Sequence, residues 1–241
     1  AESEIEGRIA RERALAEQLE YQEKVAMIGR VAGGVAHELG EPLNVIQGRA
    51  RILARSGLPE DQQRHLSDIE HQVSRMTAII QQLLDCFRHV PDSRRLLDLS
   101  SVLADVMQRV EDDNRCAART LETEGLDAAM PVRAEPLRVG LACLNVIRNA
   151  CQSAQSRLRV SAHDAGDCWE VRVEDDGPGI PEPHRAQVFE PFYSTRAAGE
   201  GTGLGLAVVS SVLKEHGGRV DVGSCDLGGC RMSLYFPKES E

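Results

Sequence analysis

AGGVAHELGEPLNVI, residues 32–46, combines the rhythm of an amphipathic helix with a histidine set between a glycine pair and a proline. At about 100° per residue, Ile28, Val35, Leu39, Ile46 and Leu53 fall within a narrow arc of one helix face. The same wheel places His37 about 180° from Ile28, on the side that faces water. Glu38 adjoins it, and Glu41 lies one turn further along the exposed side. Pro42 has no N–H, so the carbonyl of Glu38 loses its intrahelical partner and a kink is expected there. Gly33 and Gly34 loosen the turn before the histidine. These residues leave two readings open, a solvated surface histidine or a reactive one.

Outward from this stretch, Gly57-Leu58-Pro59 interrupts the helix, and a second helix is expected from about Glu60 to His89. Its stripe is Leu66, Ile69, Val73, Ile80, Leu84 and Phe87. Two long helices joined by a short turn make an antiparallel hairpin. Its apolar face is too long to stay wet, and pairing two hairpins into a four-helix bundle would bury it. Upstream, residues 1–24 carry a weak seam at Ile5, Ile9, Ala16 and Leu19, which suits a two-stranded coiled coil, with a single exposed helix as the alternative. Pro91-Asp92-Ser93 is the natural linker to the remainder of the chain.

Beyond residue 95 the pattern changes to short β-type runs alternating with helices and glycine-rich turns. Strands are expected at Leu96–Leu99, Arg119–Glu124, Pro131–Arg133, Leu158–Ala162, Trp169–Glu174, Arg219–Ser224 and Arg231–Phe236. Helices are expected over Ser100–Val110, capped by Ser100 or Ser101, over Glu135–Ala154, and briefly near Glu182–Val188. The helices should cover one face of a mixed sheet.

The 241 residues suffice for one large domain or two modest ones, and the formal charge of -10 argues against a nucleic-acid surface. No apolar run reaches the roughly 18 residues of a membrane span. With Ala1 in first place and no leader pattern, a fragment of a longer, cytoplasmic protein is expected, or the cytoplasmic portion of a membrane-attached sensor. The seven cysteines include no C-x-x-C pair, which suits reduced, mostly buried thiols better than a disulfide or zinc framework.

Three features of the second half look chemical. Asn145 and Asn149, four apart, project from one helix face, and amide oxygens are hard donors suited to Mg²⁺. Asp175-Asp176-Gly177-Pro178-Gly179 comes directly after a strand. A carboxylate there can accept a hydrogen bond from an adenine amino group, although the same residues also make a tight turn. Gly199-Glu200-Gly201-Thr202-Gly203-Leu204-Gly205-Leu206 opens a helix, and its N–H groups can face phosphate oxygens.

Taken together, the chain resembles the sensor histidine kinases of two-component signalling over nearly all its length. HELGEPL (37–43) is similar to the phosphoacceptor box, NVIRNA (145–150) to the N box and EDDGPGI (174–180) to the G1 box. FEPFYSTR (189–196) and GTGLGLAVV (201–209) are similar to the F and G2 boxes. The resemblance implies a coiled-coil helix over 1–24, a dimerisation and phosphotransfer domain over 25–92 and a catalytic domain over 93–241. The fold implied is a helical hairpin dimerising into a four-helix bundle, followed by an α/β-sandwich, Bergerat-type ATP-binding domain. His37 would be the phosphoacceptor, Glu38 would set its tautomer and draw off its proton, and Arg196 would reach the terminal phosphate. Asn145 and Asn149 would hold Mg²⁺ on the ATP phosphates, Asp175 would read adenine, and Gly177 and Gly179 would line the base pocket. Phe192, Ser194, Thr195, Gly201, Thr202, Gly203, Leu204 and Gly205 would serve the nucleotide from the lid and the glycine loop.

The implied reaction is autophosphorylation of His37 and transfer of the phosphoryl group to an aspartate on a response-regulator receiver domain. The implied partners are a second copy of the chain, that receiver, and an upstream sensor domain missing from this chain. Relatives that hydrolyse ATP carry Glu where Asn145 stands, and an amide cannot activate water. Two departures from the family pattern stand out. Glu41 replaces the usual Asn or Thr, which puts phosphatase activity in doubt, and Gln152 replaces a frequent phosphate-binding Lys. A nucleotide-binding module without kinase activity, and an ATPase or serine kinase of the wider superfamily, remain alternatives.

Overall fold

The computed structural model describes residues 38–56, 58–87, 94–111, 116, 119–196 and 202–239, with the side chains of 81–83 and 85–87 excepted. Residues 1–24, His37 and Pro91-Asp92-Ser93 lie outside the described residues. The chain divides into two compact units, Ala1–His89 and Val90–Glu241. Among the described residues no helix is long and apolar enough to cross a membrane.

In the first unit, helix α1 covers residues 38–54 of the described chain and continues through Pro42. The proline removes one hydrogen bond without ending the helix. Helix α2 comes next at Glu60–Phe87, after the expected break. The apolar stripe is not single, however. Leu43, Ala50, Leu66 and Val73 are buried, whereas Leu39, Ile46 and Leu53 keep 46, 44 and 49% of their surface exposed. Apolar positions spaced four apart (Leu39 and Leu43, Ile46 and Ala50) form two adjacent seams. One closes the hairpin, and the other, which the helical wheel singled out, stays on its outer surface.

The second unit contains a five-stranded sheet in the order β2-β4-β5-β7-β6. These strands are β2 (Thr120–Glu124), β4 (Arg157–Asp164), β5 (Cys168–Asp175), β6 (Arg219–Ser224) and β7 (Cys230–Pro237). β2 runs parallel to β4, and the other neighbours are antiparallel. Side chains alternate across it. Leu158, Val160, Val171, Val173, Met232 and Leu234 are at most 3% exposed. They form the core with the buried faces of α4 (Pro136–Ser153) and α5 (Gly205–Glu215). Each such side chain contributes about 1.5–3 kcal/mol by leaving water.

β1 (Arg95–Asp98) and β3 (Pro131–Ala134) pair antiparallel as a separate ribbon, which local patterning did not reveal. Helix α3, Leu99–Glu111, starts one residue earlier than expected. Its cap is Asp98, not Ser100 or Ser101. Asp98 Oδ1 accepts from the Ser100 N–H at 3.1 Å and from the Met130 N–H at 2.9 Å. The second bond comes from across the ribbon and holds the carboxyl below its ordinary range. The short helix expected near Glu182–Val188 is two 3-10 turns, Glu182–His184 and Gln187–Phe189.

The start of α4 is tied to the end of α5. The Glu135 N–H donates to His216 Nε2 at 3.0 Å, while His216 Nδ1 lies 2.7 Å from the Val212 carbonyl. This geometry assigns the proton to Nδ1. Arg138 adds a 2.5 Å ion pair to Glu215.

The cysteine expectation needs correction. Cys116 and Cys151 form a disulfide with Cα atoms 5.2 Å apart, while Cys143, Cys168, Cys225 and Cys230 are free. Both half-cystines are buried, and folding brings Cys116 against the face of α4 opposite its solvent side. A pair 35 residues apart with no motif gives no sequence signal. In the chain-entropy view, closing such a loop stabilises by about 4 kcal/mol.

On the sheet face away from the helices, Arg172 holds Glu170 through two hydrogen bonds of 2.8 and 2.7 Å, and the Tyr235 hydroxyl donates at 3.0 Å. Burial opposes ionisation of Glu170, but Arg172, Ser233 and Tyr235 outweigh it and bring its pKa down to about 2. A depressed carboxyl contributes stability above its unfolded pKa and loses it as pH falls through the folded value. The melting temperature of this unit should therefore drop between pH 4.5 and about 2, with a loss on the order of 3 kcal/mol. Thermal unfolding of Glu170→Gln across that window should show a flatter profile; an unchanged slope would rule out Glu170 as the source of the drop.

Candidate active site

Asn145 and Asn149 share one face of α4, as their spacing requires. The buried Nδ2 of Asn145 has no hydrogen-bond partner among the described residues. An orphaned buried donor is costly, about 1–3 kcal/mol, and marks a place where an acceptor belongs. The Asn145 amide lies under the first residue of α5. A Cβ built on Gly205 would sit 3.7 Å from Asn145 Oδ1. The fold thus brings Asn145 against the N-terminus of α5, where phosphate oxygens are favoured. Thr202 Oγ1 accepts from the Leu204 N–H at 3.3 Å and shapes that entrance.

Asp175 ends β5 and is buried. Its Oδ1 accepts from the Gly177 N–H at 2.8 Å and the Cys230 N–H at 3.4 Å. Burial pushes this carboxyl above its ordinary range, against the pull of those two N–H groups, and Asp176 adds repulsion. Two glycines crowd the group. A Cβ on Gly177 would meet the Ser153 carbonyl oxygen at 2.4 Å, and one on Gly229 would meet Asp175 Oδ1 at 2.6 Å. Gly179, at φ +69°, packs near Gly229. The sequence reading missed Gly229, whose only local signal was the Gly228-Gly229 pair of a hairpin turn. Asp176 has a structural role. It accepts from the Gln155 and Ser156 N–H groups at 2.8 and 3.0 Å and from Ser156 Oγ at 2.7 Å. Those bonds hold its carboxyl well below the ordinary range.

The described ends of the loop between these elements are clamped. The Phe192 N–H donates to the Gly203 carbonyl at 3.0 Å, with Phe192 at φ 69° and Gly203 at φ 66°. A Cβ on Gly203 would lie 2.4 Å from the Phe192 carbonyl carbon, so only glycine fits. Phe192, Ser194 and Thr195 are exposed, and Ser194 Oγ accepts from the Arg196 N–H at 3.2 Å. Gly201 lies outside the described residues. Arg196 reaches back onto α4. Its Nη2 donates to Asn149 Oδ1 and Ser153 Oγ, each at 3.1 Å, and to the Asn149 carbonyl at 3.4 Å, while Nη1 donates to Gln152 Oε1.

In the first unit Glu38, Glu41 and Pro42 are exposed. His37, the candidate phosphoacceptor, lies outside the described residues.

Residues 134–240 match the family described as histidine kinase-, DNA gyrase B-, and HSP90-like ATPase, and residues 27–89 match the His Kinase A (phospho-acceptor) domain. The sensor histidine kinase ZraS of Escherichia coli O157:H7 is 30% identical over 226 residues, covering 92% of this chain and 49% of that protein. The sensor histidine kinase CpxA of Escherichia coli K12 is 28% identical over 216 residues, covering 86% of this chain and 46% of that protein. The chain thus spans about half the length of the curated relatives it matches. Among solved structures, full-length ShkA in complex with AMPPNP aligns with a TM-score of 0.74 at 24% identity over 88% of this chain and 47% of that one. The mycobacterial sensor histidine kinase MprB aligns at 0.55 and 27% identity, over 61% of this chain and 99% of that one.

Proposed function

For a chain that belongs to the sensor histidine kinases of two-component systems, we propose autophosphorylation of His37 with ATP, followed by phosphoryl transfer to an aspartate of a response-regulator receiver domain. The observation that carries the reading is Asn145, whose buried Nδ2 is orphaned and whose Oδ1 lies under the first residue of α5. A phosphate oxygen there would satisfy it. An amide cannot take a proton from water, which favours transfer over hydrolysis.

Asp175 would accept the adenine amino hydrogen, with Gly177, Gly179 and Gly229 leaving room for the ring. The N–H groups at the start of α5, with Thr202, Gly203, Leu204 and Gly205, would hold the phosphates. Asn149 Oδ1 and Asn145 Oδ1 fit Mg²⁺, whose other ligands would be phosphate oxygens and water. When bound, the ion supplies charge neutralisation on the transferring group. In the reaction, an imidazole nitrogen bonds to the terminal phosphorus as the bond to the bridging oxygen breaks and ADP departs. Glu38 draws the proton from the other ring nitrogen, and Arg196 steadies the equatorial oxygens. The exposed seam of Leu39, Ile46 and Leu53 supports a homodimer through the hairpin.

Incubation with γ-labelled ATP and Mg²⁺ should place an acid-labile, alkali-stable label on the wild type and none on His37→Gln. An acid-stable label, a label that survives the substitution, or steady phosphate release without label would overturn the assignment.

A further inference from the structure

The position of Arg196 has a consequence beyond phosphate binding. Its guanidinium donates to acceptors on residues 149, 152 and 153, the last turn of α4, and one of them is Asn149 Oδ1. That oxygen is also the proposed metal ligand. A divalent cation at about 2.0–2.1 Å and a guanidinium cannot share it, because two positive charges would stand a few ångströms apart in a partly buried site.

We infer that Arg196 is a latch: docked on α4 it occupies the metal-binding oxygen, and metal–nucleotide binding expels it and frees it for the terminal phosphate. The inference rests on the nucleotide reading above. Gln152 and Ser153 are positioning residues, neutral acceptors that hold the guanidinium without neutralising it. The segment carrying Arg196 starts at the Phe192–Gly203 clamp, which keeps its base fixed while the arginine exchanges partners. The metal–nucleotide complex must bind from the undocked fraction, so its apparent affinity is reduced by that fraction.

The test measures Mg·ADP binding by calorimetry in the two-unit chain. ADP lacks the terminal phosphate that Arg196 would hold, so only the latch is read. Arg196→Gln should tighten Mg·ADP binding about five-fold, with little gain when EDTA replaces the metal, while autophosphorylation falls at least about ten-fold. Gln152→Glu should strengthen docking and weaken Mg·ADP binding several-fold, and that effect should vanish in the Arg196→Gln background. Equal Mg·ADP affinity in wild type and Arg196→Gln, weaker binding in the variant, or a Gln152→Glu effect that persists without Arg196 would overturn the latch. Absence of ADP binding in every protein would instead overturn the nucleotide reading and the latch with it.

Discussion

Asp175→Asn should lower nucleotide affinity by about 100-fold or more and at the same time raise the melting temperature of the nucleotide-binding unit. The first effect arises from hydrogen-bond polarity. Asp175 Oδ1 is engaged by the Gly177 and Cys230 N–H groups, so an asparagine would keep its oxygen there and turn its NH₂ toward the base. A donor would then face the adenine amino group, also a donor, and a buried unmatched pair is far worse than a lost bond. The second effect arises from burial. The folded carboxyl titrates above its ordinary value because desolvation disfavours the charge. A raised folded pKa means the ionised group destabilises the native state at neutral pH. A neutral amide removes that burden while still accepting from both backbone groups. Calorimetric titration with ADP and thermal unfolding read the two effects separately. Unchanged affinity would remove Asp175 from base recognition, and a lower melting temperature would show that its charge is compensated.

Gly229→Ala should be nearly as damaging to binding, through packing alone. The added methyl would lie 2.3 Å from the Asp175 carbonyl oxygen, 2.6 Å from Asp175 Oδ1 and 2.6 Å from the Gly177 nitrogen. Two of these are backbone atoms, and the third is a buried carboxylate oxygen held by the Gly177 and Cys230 N–H groups. The β6–β7 turn must move, and it carries the Cys230 N–H that orients the carboxylate. Expected effects are about 3 kcal/mol of stability and at least a ten-fold loss of nucleotide affinity. Gly228→Ala is the matched comparison. Its φ of +97° strains any L-residue, but nothing lies within 4 Å of the new Cβ. It should destabilise while leaving nucleotide affinity close to wild type. Equal affinity losses in the two variants would point to a general loosening of the turn and against a specific role for Gly229.

The sequence by itself determined much of what depends on neighbours along the chain. The 3.6-residue period and the Gly57-Leu58-Pro59 break set the start of α2 at Glu60, while its expected end at His89 lies outside the described residues. Strand β6 was legible to the residue because β-type residues run up to a glycine-rich turn. The four-residue spacing of Asn145 and Asn149 put both on one face before any packing was known.

What only the tertiary structure decided are contacts between residues far apart in the chain, which no local pattern encodes. The division of the hairpin's apolar stripe into an inner and an outer seam depends on how α1 meets α2. Asp98, the cap of α3, also receives the N–H of Met130, just ahead of β3, and Cys116 finds Cys151 across 35 residues. Gly229 matters because a turn 54 residues beyond Asp175 closes on its carboxylate. Arg196 rests on Asn149 because the chain returns to α4 from 47 residues away. Local propensity selects elements at the scale of a helical turn, whereas burial and charge pairing act between whichever surfaces the completed fold brings within a few ångströms.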